Sequence, residues 1–141
     1  MASFNKFNQF VEDLAKKVHN LDADALKVAL SNTAPSASNA VLADITEIAA
    51  GNGYGAGGAS AAFVSGAQAG GTYKLVLSNA TFTASGGSIA TFRYAVLYNA
   101  TPTSPLKPLI GWYDYGTTLS ITNGNSFQVQ FDQTNGALTL A

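Results

Sequence analysis

Two apolar periods divide this chain. Between residues 4 and 21 the apolar positions Phe4, Phe7, Val11, Leu14, Val18 and Leu21 lie three and four apart. Side chains so spaced share one helix face, so the pattern predicts an amphipathic helix over this segment. Ser3 stands where an N-cap belongs. Phe10 and Ala15 widen the stripe, and Glu12–Lys16 and Asp13–Lys17 place acid before base at i,i+4 on the opposite flank. Asp22-Ala23-Asp24 ends the pattern.

Beyond it the period is two. Leu26, Val28 and Leu30 alternate with Lys27 and Ala29, which predicts a strand. Val41, Leu42, Ile45 and Ile48 oppose Asp44 and Glu47, which reads as a short helical turn. The run from Gly51 to Gly58 must be loop, because so much glycine is entropically costly inside an element. Alternation then predicts strands over residues 61–65, 72–77, 81–84, 92–99, 109–115, 118–122, 127–131 and 137–141. In them Phe92 sides with Tyr94, Val96 and Tyr98; Trp112 sides with Asp114; and Tyr113 sides with Tyr115. Turns are expected at Gly70-Gly71, Ser85-Gly86-Gly87-Ser88 and Asn123-Gly124, with a hairpin closed by Thr134-Asn135-Gly136. Short strands at this spacing point to a mainly β chain. The expected fold is an antiparallel β-sandwich of about eight strands with an N-terminal amphipathic α-helix. Residues 1–24 form the helical segment and residues 25–141 the sandwich.

Charge sharpens the division. Only 11% of the 141 residues are charged, and eight of the fifteen charges fall within residues 1–27. An average soluble domain carries about 25%. A surface of Ser, Thr, Asn and small apolar groups lacks the charge that keeps monomers apart; it is either a hydroxyl-rich β surface that is soluble without that charge or, the favoured reading, a surface covered by other subunits. No basic footprint for nucleic acid is present at a net charge of −1. No apolar run is long enough to span a membrane, and residues 1–10 do not read as a secretory signal. Synthesis in a cytoplasm is therefore expected, and the sequons at Asn79 and Asn99 are read as chance.

Candidate chemistry is sparse. Cysteine is absent and His19 is the single histidine, so thiolate metal sites, His-His motifs and a cysteine nucleophile are excluded, and no cofactor is expected. His19 is placed at the helix rim, near its C-terminus. Gly53-Tyr54-Gly55-Ala56-Gly57-Gly58 matches G-x-G-x-x-G formally, but the strand-to-helix context that cradles phosphate is missing; a loop reaching a partner is the better reading. Asp44, Glu47, Asp114 and Asp132 show no spacing that commits them to acid–base work or to a calcium cage. The aromatics Trp112, Tyr113 and Tyr115, with Tyr94 and Tyr98, are half core and half contact surface, with sugar stacking as one use of the exposed half.

Five stretches carry a resemblance: Phe7-Asn8-Gln9-Phe10-Val11-Glu12-Asp13-Leu14-Ala15; Leu26-Lys27-Val28-Ala29-Leu30-Ser31-Asn32-Thr33-Ala34-Pro35; Ala43-Asp44-Ile45; Phe92-Arg93-Tyr94-Ala95-Val96-Leu97-Tyr98-Asn99; and Leu109-Ile110-Gly111-Trp112-Tyr113-Asp114-Tyr115-Gly116. Together they resemble a family of small virion proteins of tailed bacteriophages. The resemblance implies a non-enzymatic structural component at the capsid surface, a decoration (cement) protein. Its partners would be the major capsid protein and copies of itself. The expected contact residues are Phe4, Phe7, Tyr54, Trp112, Tyr113 and Tyr115. The rival reading is a tail module that binds a receptor or host-surface glycan; a hydrolase is remote.

Overall fold

The structure, a computed structural model, describes residues 2–141. Among these residues are ten strands, one α-helix and one 3₁₀ turn. The chain is mainly β, and its packed antiparallel sheets make it sandwich-like. Strands β1 (Ser3–Lys6), β8 (Leu109–Ile121), β7 (Ile89–Asn99), β2 (Leu26–Ser31) and β3 (Ala59–Ser60) form the main sheet in that order. A second sheet runs β10 (Leu138–Leu140), β5 (Thr72–Leu77), β4 (Phe63–Ala69), and β6 (Ala80–Thr83) pairs with β9 (Ser126–Val129).

The main sheet is buried on both faces. One face carries Leu26, Val28 and Leu30 of β2, Ala95 and Leu97 of β7, and Ile110 and Tyr113 of β8. It packs on Leu75 and Leu77 of β5, Phe82 of β6, and Val129 and Phe131. The other face carries Ala29, Val96, Tyr98 and Leu109, covered by Phe7 and Ile45, with Leu42 and Trp112 at the margin. That is why residues 94–99 are buried without a break, a pattern that simple alternation does not predict. Phe92 also changes sides. Register shifts on either side of it in the β7–β8 pairing place it in the core with Ala95 and Leu97 rather than with Val96 and Tyr98.

The N-terminal segment departs most from expectation. The helix α1 spans only Asn8–Ala15. Residues 3–6 form β1, with Phe4 opposite Tyr113 and Asn5 opposite Trp112. Pairing with β8 satisfies backbone groups that a helix would have satisfied internally. The helix end has a specific cause. Val18 N–H donates to the Asp13 carbonyl at 2.8 Å and Lys17 N–H to the Leu14 carbonyl at 3.2 Å, with Lys17 left-handed at φ 65°. This is a Schellman closure without the usual glycine. The expected stripe is buried in part: Phe7, Phe10 and Leu21 are buried and Leu14 packs on the core, but Asp13 is buried with them and Val11 is 52% exposed.

Smaller differences follow from pairing. Residues 109–115 and 118–122, read as two strands, join into β8. The helical turn over 41–50 contracts to Leu42–Asp44, and the chain beyond is extended, with Glu47 bridged to Ser31. The C-terminal strand does not form a hairpin with β9; β10 pairs with β5, Leu138 opposite Leu75.

An L-residue in the left-handed region is disfavoured by about 1 kcal/mol or more. Lys17→Gly should therefore raise the unfolding free energy by about 1 kcal/mol, read as a higher urea midpoint at unchanged m-value.

Candidate functional site

The aromatic character of β8 separates into two sites. Trp112 and Asp114 point to the second face of the main sheet, where Trp112 packs on Phe7 with ring centroids 4.6 Å apart. Asp114 accepts from Arg93 Nε at 2.8 Å and from a terminal guanidinium nitrogen at 3.1 Å. Arg93 and the Gly116 amide hold its carboxyl below the usual range. Tyr113 and Tyr115 point the other way. Tyr113 contacts Phe4 at 5.4 Å and Phe131 at 5.9 Å; Tyr115 contacts Phe127 at 5.5 Å, edge to face.

Between this aromatic floor and the β6–β9 ribbon lies a cleft of about 930 Å³. Its aromatic lining is Tyr113, Tyr115 and Phe127; its polar lining is Thr81, Ser126, Gln128 and Gln130. The ribbon's hydrogen bonds hold that polar wall. Gln128 Nε2 donates to Thr81 Oγ1 at 3.2 Å, and the Thr83 and Ser126 hydroxyls meet at 2.7 Å. None of the lining side chains carries a charge at neutral pH. Burial pushes the Tyr115 hydroxyl up to about 12 and Tyr113 higher still, so both remain neutral donors. The cleft is suited to hold an uncharged polar ligand against flat rings. Its volume lies within the range of roughly 300–1,000 Å³ common to small-molecule sites.

The expected contact residues are thus divided. Tyr113 and Tyr115 meet at the cleft, with Phe4, 36% exposed, packed against Tyr113. Phe7 and Tyr54 are 0% and 2% exposed and belong to the chain's own cores, and Trp112 covers Phe7. The expectation of exposed contact side chains at Phe7 and Tyr54 is corrected, because satisfying both faces of the main sheet consumes them. Sequence reasoning missed Thr81, Ser126, Gln128 and Gln130. Alternation along β9 marks Gln128 as outward, but which strand the ribbon faces is a tertiary fact.

The glycine run is likewise an internal structure. Tyr54 Oη accepts from the Leu30 amide at 3.0 Å and donates to Glu47 Oε2 at 2.7 Å; Gly57 N–H donates to the same carboxylate oxygen at 2.7 Å. Tyr98 Oη donates to the Gly57 carbonyl at 2.6 Å. Gly58, at φ +77°, lies so close to Val28 that a Cβ would collide with its backbone. Tyr54→Phe would leave the buried Leu30 amide unpaired. It should cost about 1–3 kcal/mol in urea unfolding, while ring packing on Phe82 at 5.7 Å persists.

His19 is also not at the rim; it is 5% exposed. Asn99 Nδ2 lies 3.2 Å from His19 Nδ1 and donates to Asp24 Oδ2 at 2.6 Å, tying the loop after α1 to the end of β7. His19 Nε2 and Asp13 Oδ2 are buried without partners among the described residues. Burial lowers the His19 pKa, against the pull of Asp13 and Asp24. The unfolded chain, with a histidine pKa of about 6.5, therefore takes up the proton first as pH falls. The His19 contribution is complete above about pH 6.5 and is lost as pH falls from there toward the lower folded pKa. Urea unfolding between about pH 8 and pH 5 should show that decline, and His19→Gln should flatten it.

Among the described residues no three His, Asp or Glu side chains cluster to hold a metal, and no helix is long and apolar enough to cross a membrane. Comparison with protein-family models, curated proteins and solved structures finds no match to this chain.

Proposed function

We propose that this chain is a structural protein of a tailed-bacteriophage virion, a capsid decoration protein that binds the assembled shell and bridges its subunits. Its role is stabilisation rather than catalysis. A protein that binds the assembled lattice better than free subunits stabilises it by mass action.

The observation that carries the reading is the free edge of β4. This strand is the outer member of its sheet, pairs among the described residues only with β5, and is exposed along nearly its whole length. Phe63 and Val64 are 40% and 53% exposed there. No Lys, Arg, Asp, Glu or Pro lies within Phe63–Ala69, although such residues are the usual means of protecting an edge. A bulge between Phe63 and Ser65 is the one irregularity. An uncharged edge of this kind is suited to receive a strand from a neighbouring subunit. The low charge of the whole chain and its resemblance to small virion proteins support the same role.

Val64→Lys places a charge on that edge at an exposed position. Purified wild-type protein should co-sediment with heads lacking it, and the lysine variant should bind at least about tenfold more weakly, a loss of about 1.4 kcal/mol. Equal binding by the variant would overturn the edge as the contact. Labelling confined to the tail would overturn the decoration role.

A further inference from the structure

We propose that the cleft between β8 and the β6–β9 ribbon is a binding site for a neutral saccharide. The inference stands on the lining of the cleft and is independent of the virion role.

Three features of the lining choose the ligand class. First, its lining includes the partly buried aromatics Tyr115 and Phe127 together with Ser126, Gln128 and Gln130. A pyranose has an apolar C–H face and an equatorial belt of hydroxyls, so it is matched by a flat ring next to amides and hydroxyls. Second, none of the described lining residues has a charged side chain. Phosphorylated ligands and nucleic acids would find no side-chain cation among the described lining residues to replace their counterions, and Asp114, paired with Arg93, alternates with Tyr113 and Tyr115 along β8. Third, the polar groups argue against a purely apolar occupant. An acyl chain would strip water from Gln128, Gln130 and Ser126 without replacing their hydrogen bonds.

The wall is partly preorganised. Gln128 is oriented by Thr81, and Ser126 by Thr83, across paired strands. The Tyr115 hydroxyl stays protonated at every physiological pH and is shifted by burial alone, with no charged partner to occupy it. Gln130, just beyond β9, is exposed and free to turn toward a ligand. Backbone pairing and aromatic packing hold the ring positions, so binding requires little ordering beyond that of the glutamine side chains.

The test is an NMR titration of the full-length ¹⁵N-labelled chain. The probes are glucose, galactose, mannose, N-acetylglucosamine and their common disaccharides, with sialic acid and glucose 6-phosphate as charged controls. Saturable shifts at Tyr115 and at residues 126–130 with at least one neutral sugar, and none with the charged controls, are expected. Gln130→Ala, at an exposed position that leaves the fold intact, should weaken binding by about threefold to tenfold, as should Tyr115→Phe, which keeps the ring. Absence of saturable shifts in the cleft with every neutral sugar would overturn the proposal. So would equal response to the charged controls, or affinity unchanged in both variants. Cleft resonances that move when the protein alone is diluted would assign the cleft to a second copy of the chain and overturn it equally.

Discussion

The constraint on which the architecture depends is the two-sided burial of β7. From Tyr94 to Asn99 this strand has no solvent face, so the main sheet must be covered twice. The second sheet and the β6–β9 ribbon cover one face with Leu75, Leu77, Phe82 and Val129. The other is closed by segments without a regular sheet of their own: Phe7 ahead of α1, and Leu42 and Ile45 around the 3₁₀ turn. The N-terminal segment serves both sides, since Phe7 enters one core and Phe10 the other.

Burying so much backbone beside irregular segments demands polar compensation. Tyr54, Glu47 and Tyr98 provide it for the glycine loop, where two phenols and one carboxylate satisfy the Leu30 and Gly57 amides and the Gly57 carbonyl. Close approach explains two of the loop's glycines: Gly58 lets backbone lie against Val28 of β2, and Gly53 lets it lie against Thr83. At the C-terminal end of β7, next to Tyr98, Asn99 gathers the Asp24 carboxylate, the His19 ring and the Thr101 amide. Charged side chains elsewhere have local duties. Asp44 accepts from the Ala40 and Val41 amides, and Asp132 from the Thr134 and Asn135 amides.

The surface that remains is polar but nearly uncharged, and its two notable features differ in kind. The β4 edge offers unpaired backbone groups and half-exposed apolar side chains, the means by which strands join strands. The cleft offers rings, amides and hydroxyls, the means by which a small neutral molecule is held. They involve different strands.

Local sequence determined those features that depend on near neighbours. Alternation placed Leu26, Val28 and Leu30 on one face, Phe127, Val129 and Phe131 inward, and Tyr113 and Tyr115 opposite Trp112, and the structure agrees in each case. The predominance of strands and the turn at Gly70-Gly71 were legible for the same reason: period and glycine content act over a few residues. Tertiary structure alone decided the rest. Residues 3–6 bear a helical spacing yet form a strand, because β8 offers an edge whose hydrogen bonds a short helix cannot match. Lys17 ends the helix without any glycine to announce it. Phe92 changes face through irregular pairing with a strand some twenty to thirty residues away. The cleft brings Thr81, Tyr115 and Gln130 together across three separate stretches of chain. Each of these outcomes depends on which distant strand supplies the partner, and periodicity carries no information about that choice.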